Sequence, residues 1–357
     1  MLYKQVDTKK ARVFCEEVFS AYGFTAEESK IIADVLLRAD LYGIESHGMQ
    51  RLVRYSDEIT SGQVDIHAKM QIVHETGISA CIEANKAMGQ LAGTEAMKLA
   101  IQKAKSAGCG MVTVRNSNHY GIAGYYTNMA AGEDLIGICM TNTEAICVPT
   151  FGSQAMTGTN AIALAMPASP FMFSYDASTT VVPRGTLEVF RKNEQPLPEN
   201  WALDADGNPC TDAATVIDNI IAKAGGGIAP LGGLGMLNGG HKGYGLSVIV
   251  DLFTAVISGG LTSNRVNRSP GHTGICHYFM AIDYGIFGEK PAIKNGLSKF
   301  LQELRDSRKA EGRTRIYTHG EKEAETMAER INGQIPINEK TLAEIKIIAN
   351  KLGIKEI

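Results

Sequence analysis

Apolar residues recur at helical spacing through the opening stretch of the chain. Ile31, Ile32, Val35 and Leu36 follow Thr25-Ala-Glu-Glu28, a pair set to cap a helix start reciprocally. After a turn at Tyr42-Gly43, Ser46 reads as an N-cap, and Leu52, Tyr55 and Ile59 form one helical face that Ser61-Gly62 ends. The opening module is therefore expected to be all-α. From about residue 70 the period shortens: Met70–Val73 and Ala80–Glu83 read as strands around a polar turn. A helix follows from Gly89 to Ala107, with Ala96, Leu99, Ala100 and Ala104 on one face and Gly108 as its stop.

Gly110–Val114 then reads as a strand, Asn116–Gly121 as a loop, Ala123–Ala131 as a helix and Leu135–Met140 as a strand. That succession predicts a βαβ unit and an α/β core. Ala161–Ala165 is short and apolar enough for a buried strand. Lys192–Thr211, with Pro196, Pro198, Pro209 and an Asp206-Gly207 turn, reads as a long surface excursion. Glycines cluster over Gly225–Gly245 before an apolar helix over Tyr244–Ile257, and Tyr278–Asp283 is a further strand. From Ala292 the chain is helical and charged. Three segments result: a helical opening over 1–70, an α/β core over 71–290 and a helical close over 291–357.

Composition narrows the partners. The 357 residues hold 35 Lys plus Arg against 38 Asp plus Glu, a formal net charge of -3, which supplies no basic field for nucleic acid or an anionic membrane. No window approaches the roughly 20 apolar residues of a membrane span, and the N-terminus lacks a signal-peptide core. The 7 cysteines are scattered without a CxxC pair, so a cytoplasmic location with reduced thiols is expected.

Three constellations carry candidate chemistry. In Ser46-His-Gly-Met-Gln-Arg51, His47 and Arg51 lie four apart and would project together at a helix start, a guanidinium fork for a carboxylate beside a proton-transfer group. In Arg115-Asn-Ser-Asn-His-Tyr-Gly121, His119 sits past the carboxyl end of a strand, where α/β sheets bind ligands. Asn238-Gly-Gly-His-Lys-Gly-Tyr-Gly245 places glycines and Lys242 at a helix start, a setting for phosphate or for close packing. Neither a P-loop nor GxGxxG is present, so a conventional Rossmann site is unsupported. His272, Cys276 and His277 lack the spacing of a zinc site, and no metal is expected.

The ordered set Ala39–Gly48 with Arg51 and Tyr55, Asn116–Gly121, Thr141–Thr143, Gly158–Asn160, Tyr175–Thr179, Trp201–Pro209, Gly240–Gly245 and Arg315–Glu323 resembles the malate/L-lactate dehydrogenase family of the non-Rossmann type. The resemblance spans nearly the whole chain. It implies a mixed-sheet α/β fold of the sulfolactate-dehydrogenase-like type, a homodimer, and an NAD- or NADP-dependent oxidoreductase acting on a small 2-hydroxy or 2-oxo acid. It further implies proton transfer by His119 and His47, a substrate pocket of Ser46, Arg51 and Tyr55, and a dinucleotide lying on Thr143, Asp176, Ala177, Ser178, Thr179, Lys242, Gly243, His319, Gly320 and Glu321. The Ile316–Glu323 wording is most similar to the malate-oxidising branch. Other 2-hydroxy acids, imino-acid reduction and a catalytically silent relative stay open. Two departures stand out: Arg184-Gly-Thr186 where relatives have Arg-Gly-Lys, and His319 where many have proline.

Overall fold

The computed structural model describes residues 2–268 and 271–357. The chain opens with strand β1 (Tyr3–Asp7) and helices α1 (Thr8–Tyr22) and α2 (Ala26–Leu41); a 3-10 turn at Glu45–His47 leads into α3 (Arg51–Thr60). Strands β2 (Gln71–Glu75) and β3 (Ser79–Glu83) precede α4 (Gly89–Ala107), β4 (Cys109–Ser117), α5 (Ala123–Gly132) and β5 (Ile136–Thr141). Next come β6 (Ala161–Met166), β7 (Phe173–Ala177), α6 (Arg184–Lys192), β8 (Ala202–Leu203), α7 (Ala213–Ala222) and β9 (Gly227–Ile228). Helix α8 (Gly240–Asp251) runs on through a π-turn at Leu252–Val256. The chain closes with β10 (Ile275–Ile282), α9 (Lys290–Asp306), α10 (Glu321–Arg330), β11 (Gln334–Asn338) and α11 (Glu339–Leu352).

The fold is α/β, built on a seven-stranded mixed sheet in the order β2-β3-β4-β10-β5-β6-β7. Among the described strands of this sheet only β3 and β4 pair in parallel, with Ser79 opposite Met111, and α4 is their crossover. The alanine face of α4 explains why it packs so closely. A Cβ added to Gly110 would lie 2.1 Å from the Ala100 carbonyl oxygen, and Ala96 and Ala100 are fully buried.

Three expectations need correction. The predicted βαβ of β4, α5 and β5 is not a pair of neighbours, because β10 lies between the two strands and runs antiparallel to both. The opening module is not all-α, since β1 pairs antiparallel with β11, Tyr3 opposite Asn338, through a partner more than 300 residues away. Ser46 does not cap a helix either; it sits in the 3-10 turn, and α3 starts at Arg51 after Gln50. The capping box at Thr25 forms as read, with both reciprocal bonds to Glu28.

Apolar residues gather in three clusters. One joins α1, α2 and α3 to β11 and α11, with Phe19, Leu36, Leu52, Ile335 and Ile345 buried. The second fills the space between the sheet and helices α4 and α5. The third draws Leu197 and Ala202, from the stretch read as a surface excursion, against Val216 and Ile228. Because β11 supplies wholly buried Ile335 to the first cluster, Ile335→Ala is expected to cost about 2–5 kcal/mol. A lowered urea midpoint would register this; an unchanged midpoint would show that β11 does not hold the helices together.

Candidate active site

The antiparallel insertion of β10 decides where the site lies. The carboxyl ends of β4, β5 and β7 and the amino ends of β10 and β6 all reach the same edge of the sheet. His119 follows β4, Asn142 and Thr143 follow β5, Asp176 and Ala177 end β7, Thr159 precedes β6 and Ile275 starts β10. Helix α3 and its preceding turn lie across this edge and bring His47 and Arg51 to it.

Two adjoining cavities open there, of about 520 and 380 Å³. His47, His119, Thr143, Thr159, Pro183 and Ile275 belong to both walls, so the histidine pair stands at their junction. The two imidazoles stack with centroids 5.5 Å apart. Each is held by its Nδ1: His47 by the Ser46 hydroxyl at 2.8 Å, and His119 by the Tyr55 hydroxyl at 2.8 Å. The turn carrying Ser46 and His47 is itself pinned from below. Buried Asp40 accepts from the Met49 amide at 2.8 Å, and a Cβ on Gly48 would strike its carboxylate at 1.9 Å.

The larger cavity is ringed by guanidinium groups. Arg54 donates to Glu58 at 2.7 Å, and Arg184 is held by Glu144 at 3.2 Å and Glu188 at 3.1 Å. Arg51 differs. Its Nε donates to the Ser46 carbonyl oxygen at 2.6 Å, and among the described residues it has no carboxylate partner. Gly185 leaves room for it, since a side chain there would meet Arg51 Nη2 at 3.2 Å. Burial and the neighbouring Arg51 and Arg54 push the His47 pKa down to about 3. Burial first, then Arg54, His47 and Arg51, hold His119 well below the usual imidazole range. Both rings are thereby held in the neutral form, with one ring nitrogen of each unprotonated.

The smaller cavity has a different character. Ile44, Ile122, Val181 and Leu231 give it apolar walls, with Ser46, Asn142, Thr143, Asp176 and Ser178 as polar points and, among the described residues, no lysine or arginine in its lining. The Asp176 carboxylate also accepts from the Gly124 amide at 2.7 Å, at the start of α5. Such a slot suits a partly aromatic group bearing hydroxyls, as the nicotinamide and ribose of a dinucleotide do.

The structure thus gathers Ser46, His47, Arg51, His119, Thr143, Asp176, Ala177 and Ser178 around two cavities. Tyr55 is on neither wall; it is fully buried behind His119. Thr179 is buried, its amide bonded to the Thr159 carbonyl. Lys242 and Gly243 are on neither wall; a Cβ on Gly243 would meet the Leu231 carbonyl oxygen at 2.3 Å, and the Lys242 side chain lies beside Gly239. His319 packs edge-on against Tyr175 at 5.2 Å, Gly320 lies against Ser174, and Glu321 is buried under Thr318. Thr186 lies on neither wall. Arg54, Glu144, Thr159, Glu188 and Asn267 line the larger cavity without having been singled out from sequence. Arg54, one helical turn from Arg51, was the one whose spacing could have revealed it.

With this geometry in view, the comparisons decide the family. A family model described as malate/L-lactate dehydrogenase matches residues 6–346. The chain belongs to the malate/L-lactate dehydrogenase family. It is 44% identical over 354 residues to a malate dehydrogenase of Pyrococcus horikoshii, covering 99% of this chain and 97% of that one. To an L-sulfolactate dehydrogenase of Methanocaldococcus jannaschii it is 36% identical, covering 99% of this chain and 98% of that one. Among solved structures, malate dehydrogenase from Entamoeba histolytica superimposes with a TM-score of 0.95 at 34% identity, covering 99% of each chain. The chain is an oxidoreductase of the hydroxyacid dehydrogenase type, and the family implies a nicotinamide cofactor.

Proposed function

We propose that the protein interconverts malate and oxaloacetate with NAD or NADP. The observation that carries this reading is Arg51, a guanidinium without a carboxylate partner at the wall of a cavity where two neutral histidines meet. A substrate carboxylate on Arg51 supplies the missing anion through a two-pronged contact. It thereby sets C2 of a 2-hydroxy acid beside His47 and His119. The same carboxylate offsets part of the cationic field that depresses both histidines, which eases protonation once substrate is in place.

When bound, the dinucleotide supplies the hydride acceptor for oxidation and the donor for reduction. Its nicotinamide half fits the smaller cavity, where Thr143, Asp176, Ala177 and Ser178 offer hydrogen-bonding atoms. The outer contacts that the resemblance implies, Thr179, Lys242 with Gly243 and His319 to Glu321, would serve the distal half. In oxidation His119 Nε2 removes the C2 hydroxyl proton and His47 hydrogen-bonds the same oxygen; in reduction the proton returns from His119. Choosing His119 as the base follows from its deeper support by Tyr55.

The names of the relatives favour malate, with sulfolactate next. Consumption of reduced nicotinamide with oxaloacetate, measured in parallel with NADH and NADPH, tests the reading. Fast turnover is expected; an absence of turnover with oxaloacetate would overturn it. His119→Asn is expected to lower that turnover about 10²-fold or more with dinucleotide binding kept. Near-normal turnover would remove His119 from the role of base.

The chain is further proposed to act as a homodimer. Leu246, Ile249, Leu252, Phe253, Val256 and Ile257 form an apolar stripe along α8 and its π-turn, each exposed by 36–56%. A continuous face of this kind is seldom left in water, and a second copy of the chain would bury it. Sedimentation at twice the 38.4 kDa chain mass is expected; a single-chain mass at micromolar concentration would contradict it. All 7 cysteines are free, and no helix among the described residues is long and apolar enough to cross a membrane. A reducing, cytoplasmic setting is proposed on the first of these facts.

A further inference from the structure

Arg51 accounts for one acid group of the substrate, and malate carries two. Among the described residues the larger cavity is walled by two more guanidinium groups, Arg54 and Arg184. Their hydrogen bonds tell them apart. Arg184 is held on two sides, its Nε donating to Glu188 at 3.1 Å and Nη1 to Glu144 at 3.2 Å. A second acid group placed there would face two carboxylates. Arg54 is held at one point. Its Nε donates to Glu58 Oε1 at 2.7 Å, and among the described residues neither of its terminal nitrogens has a partner. Its side chain is 37% exposed, whereas that of Glu58 is 8% exposed.

An arginine beside a carboxylate frequently turns its fork to take both oxygens. Here it does not. Glu58 Oε2 stays buried without a hydrogen-bond partner while both terminal nitrogens of Arg54 are idle. Leaving that oxygen unpaired is unfavourable and calls for a reason. The terminal nitrogens are not sealed from solvent, and Arg54 belongs to the wall of the larger cavity. Arg51 and Arg54 lie three apart on α3, which sets their Cβ atoms roughly 5–6 Å apart on neighbouring positions of one helix face. The two carboxylates of a four-carbon acid can span such a pair. Arg54 also stands near the reacting centre: after burial it is the strongest influence holding the His119 pKa down. We propose that Arg54 takes the second acid group of the substrate, the C4 carboxylate of malate, and so sets the preference for a diacid over lactate. Glu58 balances the charge of Arg54 and fixes its Nε, which leaves the terminal nitrogens to donate. A sulfonate in place of that carboxylate offers oxygens to the same donors.

The proposal rests on the malate reading above, and its test separates the two. With reduced dinucleotide, kcat/KM is measured for oxaloacetate and for pyruvate, which lacks the second acid group. A general loss of structure, or a change at His119, moves both substrates together and leaves their ratio alone. The unmodified protein is expected to favour oxaloacetate at least about tenfold, as charge-assisted hydrogen bonds to one more acid group would give. Arg54→Met keeps the stem and removes the donors, and it should lower that ratio at least about tenfold. It also leaves the Glu58 carboxylate buried without its cation. The double variant Arg54→Met with Glu58→Gln is therefore measured beside it and should show the same fall. A ratio kept in both variants, or one that falls in Arg184→Met instead, would overturn the proposal. Equal use of pyruvate and oxaloacetate by the unmodified protein would also overturn it while leaving a 2-oxo acid reductase. No turnover of either acid would remove the malate reading, and the subsite with it.

Discussion

An arginine kept at a cavity wall without a carboxylate organises this molecule. Burial of a guanidinium is unfavourable unless an anion compensates it. The two neighbouring arginines of the cavity, Arg54 and Arg184, have found theirs in Glu58, Glu144 and Glu188. Arg51 makes do with the Ser46 carbonyl oxygen and so reserves its charge for a ligand. The surroundings follow from that reservation. Gly185 clears the space, Asp40 braces the turn beneath His47, and burial, aided by the same positive field, holds both histidines below the usual imidazole range. On the proposed reading an anionic substrate completes the charge balance at the point where proton transfer is needed.

The sheet provides the framework for that balance. By placing β10 between β4 and β5, the fold turns five strand ends toward one edge. The loops leaving them supply His119, Thr143, Thr159, Asp176 and Ile275, while α3 and the turn before it supply His47 and Arg51 from a different core. Two cavities of unlike chemistry then meet at one pair of rings. The charged cavity is the one proposed to take an acid, and the other, whose described lining holds no lysine or arginine, the one proposed to take the nicotinamide. On the proposed reading the hydride would leave C2 in one direction and the proton would leave the C2 hydroxyl oxygen in another.

Local features of this arrangement were legible in the residues. The alanine face from Ala96 to Ala104, closed by Gly108, marked α4 to the residue, and the Thr25–Glu28 pair marked the start of α2. His119 could be placed past a strand end because its loop carries more polar groups than a turn requires. Features that depend on distant pairing were hidden. Nothing near Tyr3 announces Asn338 as its neighbour, and nothing near Met111 announces that Met280 will lie beside it in place of β5. Tyr55 was visible as part of a motif, but its bond to His119 crosses 64 residues and exists only in the folded chain.

The central claim is that the reacting bond lies at C2 of a 2-hydroxy acid held by Arg51, in line with a nicotinamide in the smaller cavity. Mass analysis of the reduced cofactor after turnover of malate carrying deuterium at C2 tests it most directly. One deuterium transferred to the nicotinamide per turnover is the result this account predicts. Deuterium released to water, or reduced cofactor carrying no label, would contradict it.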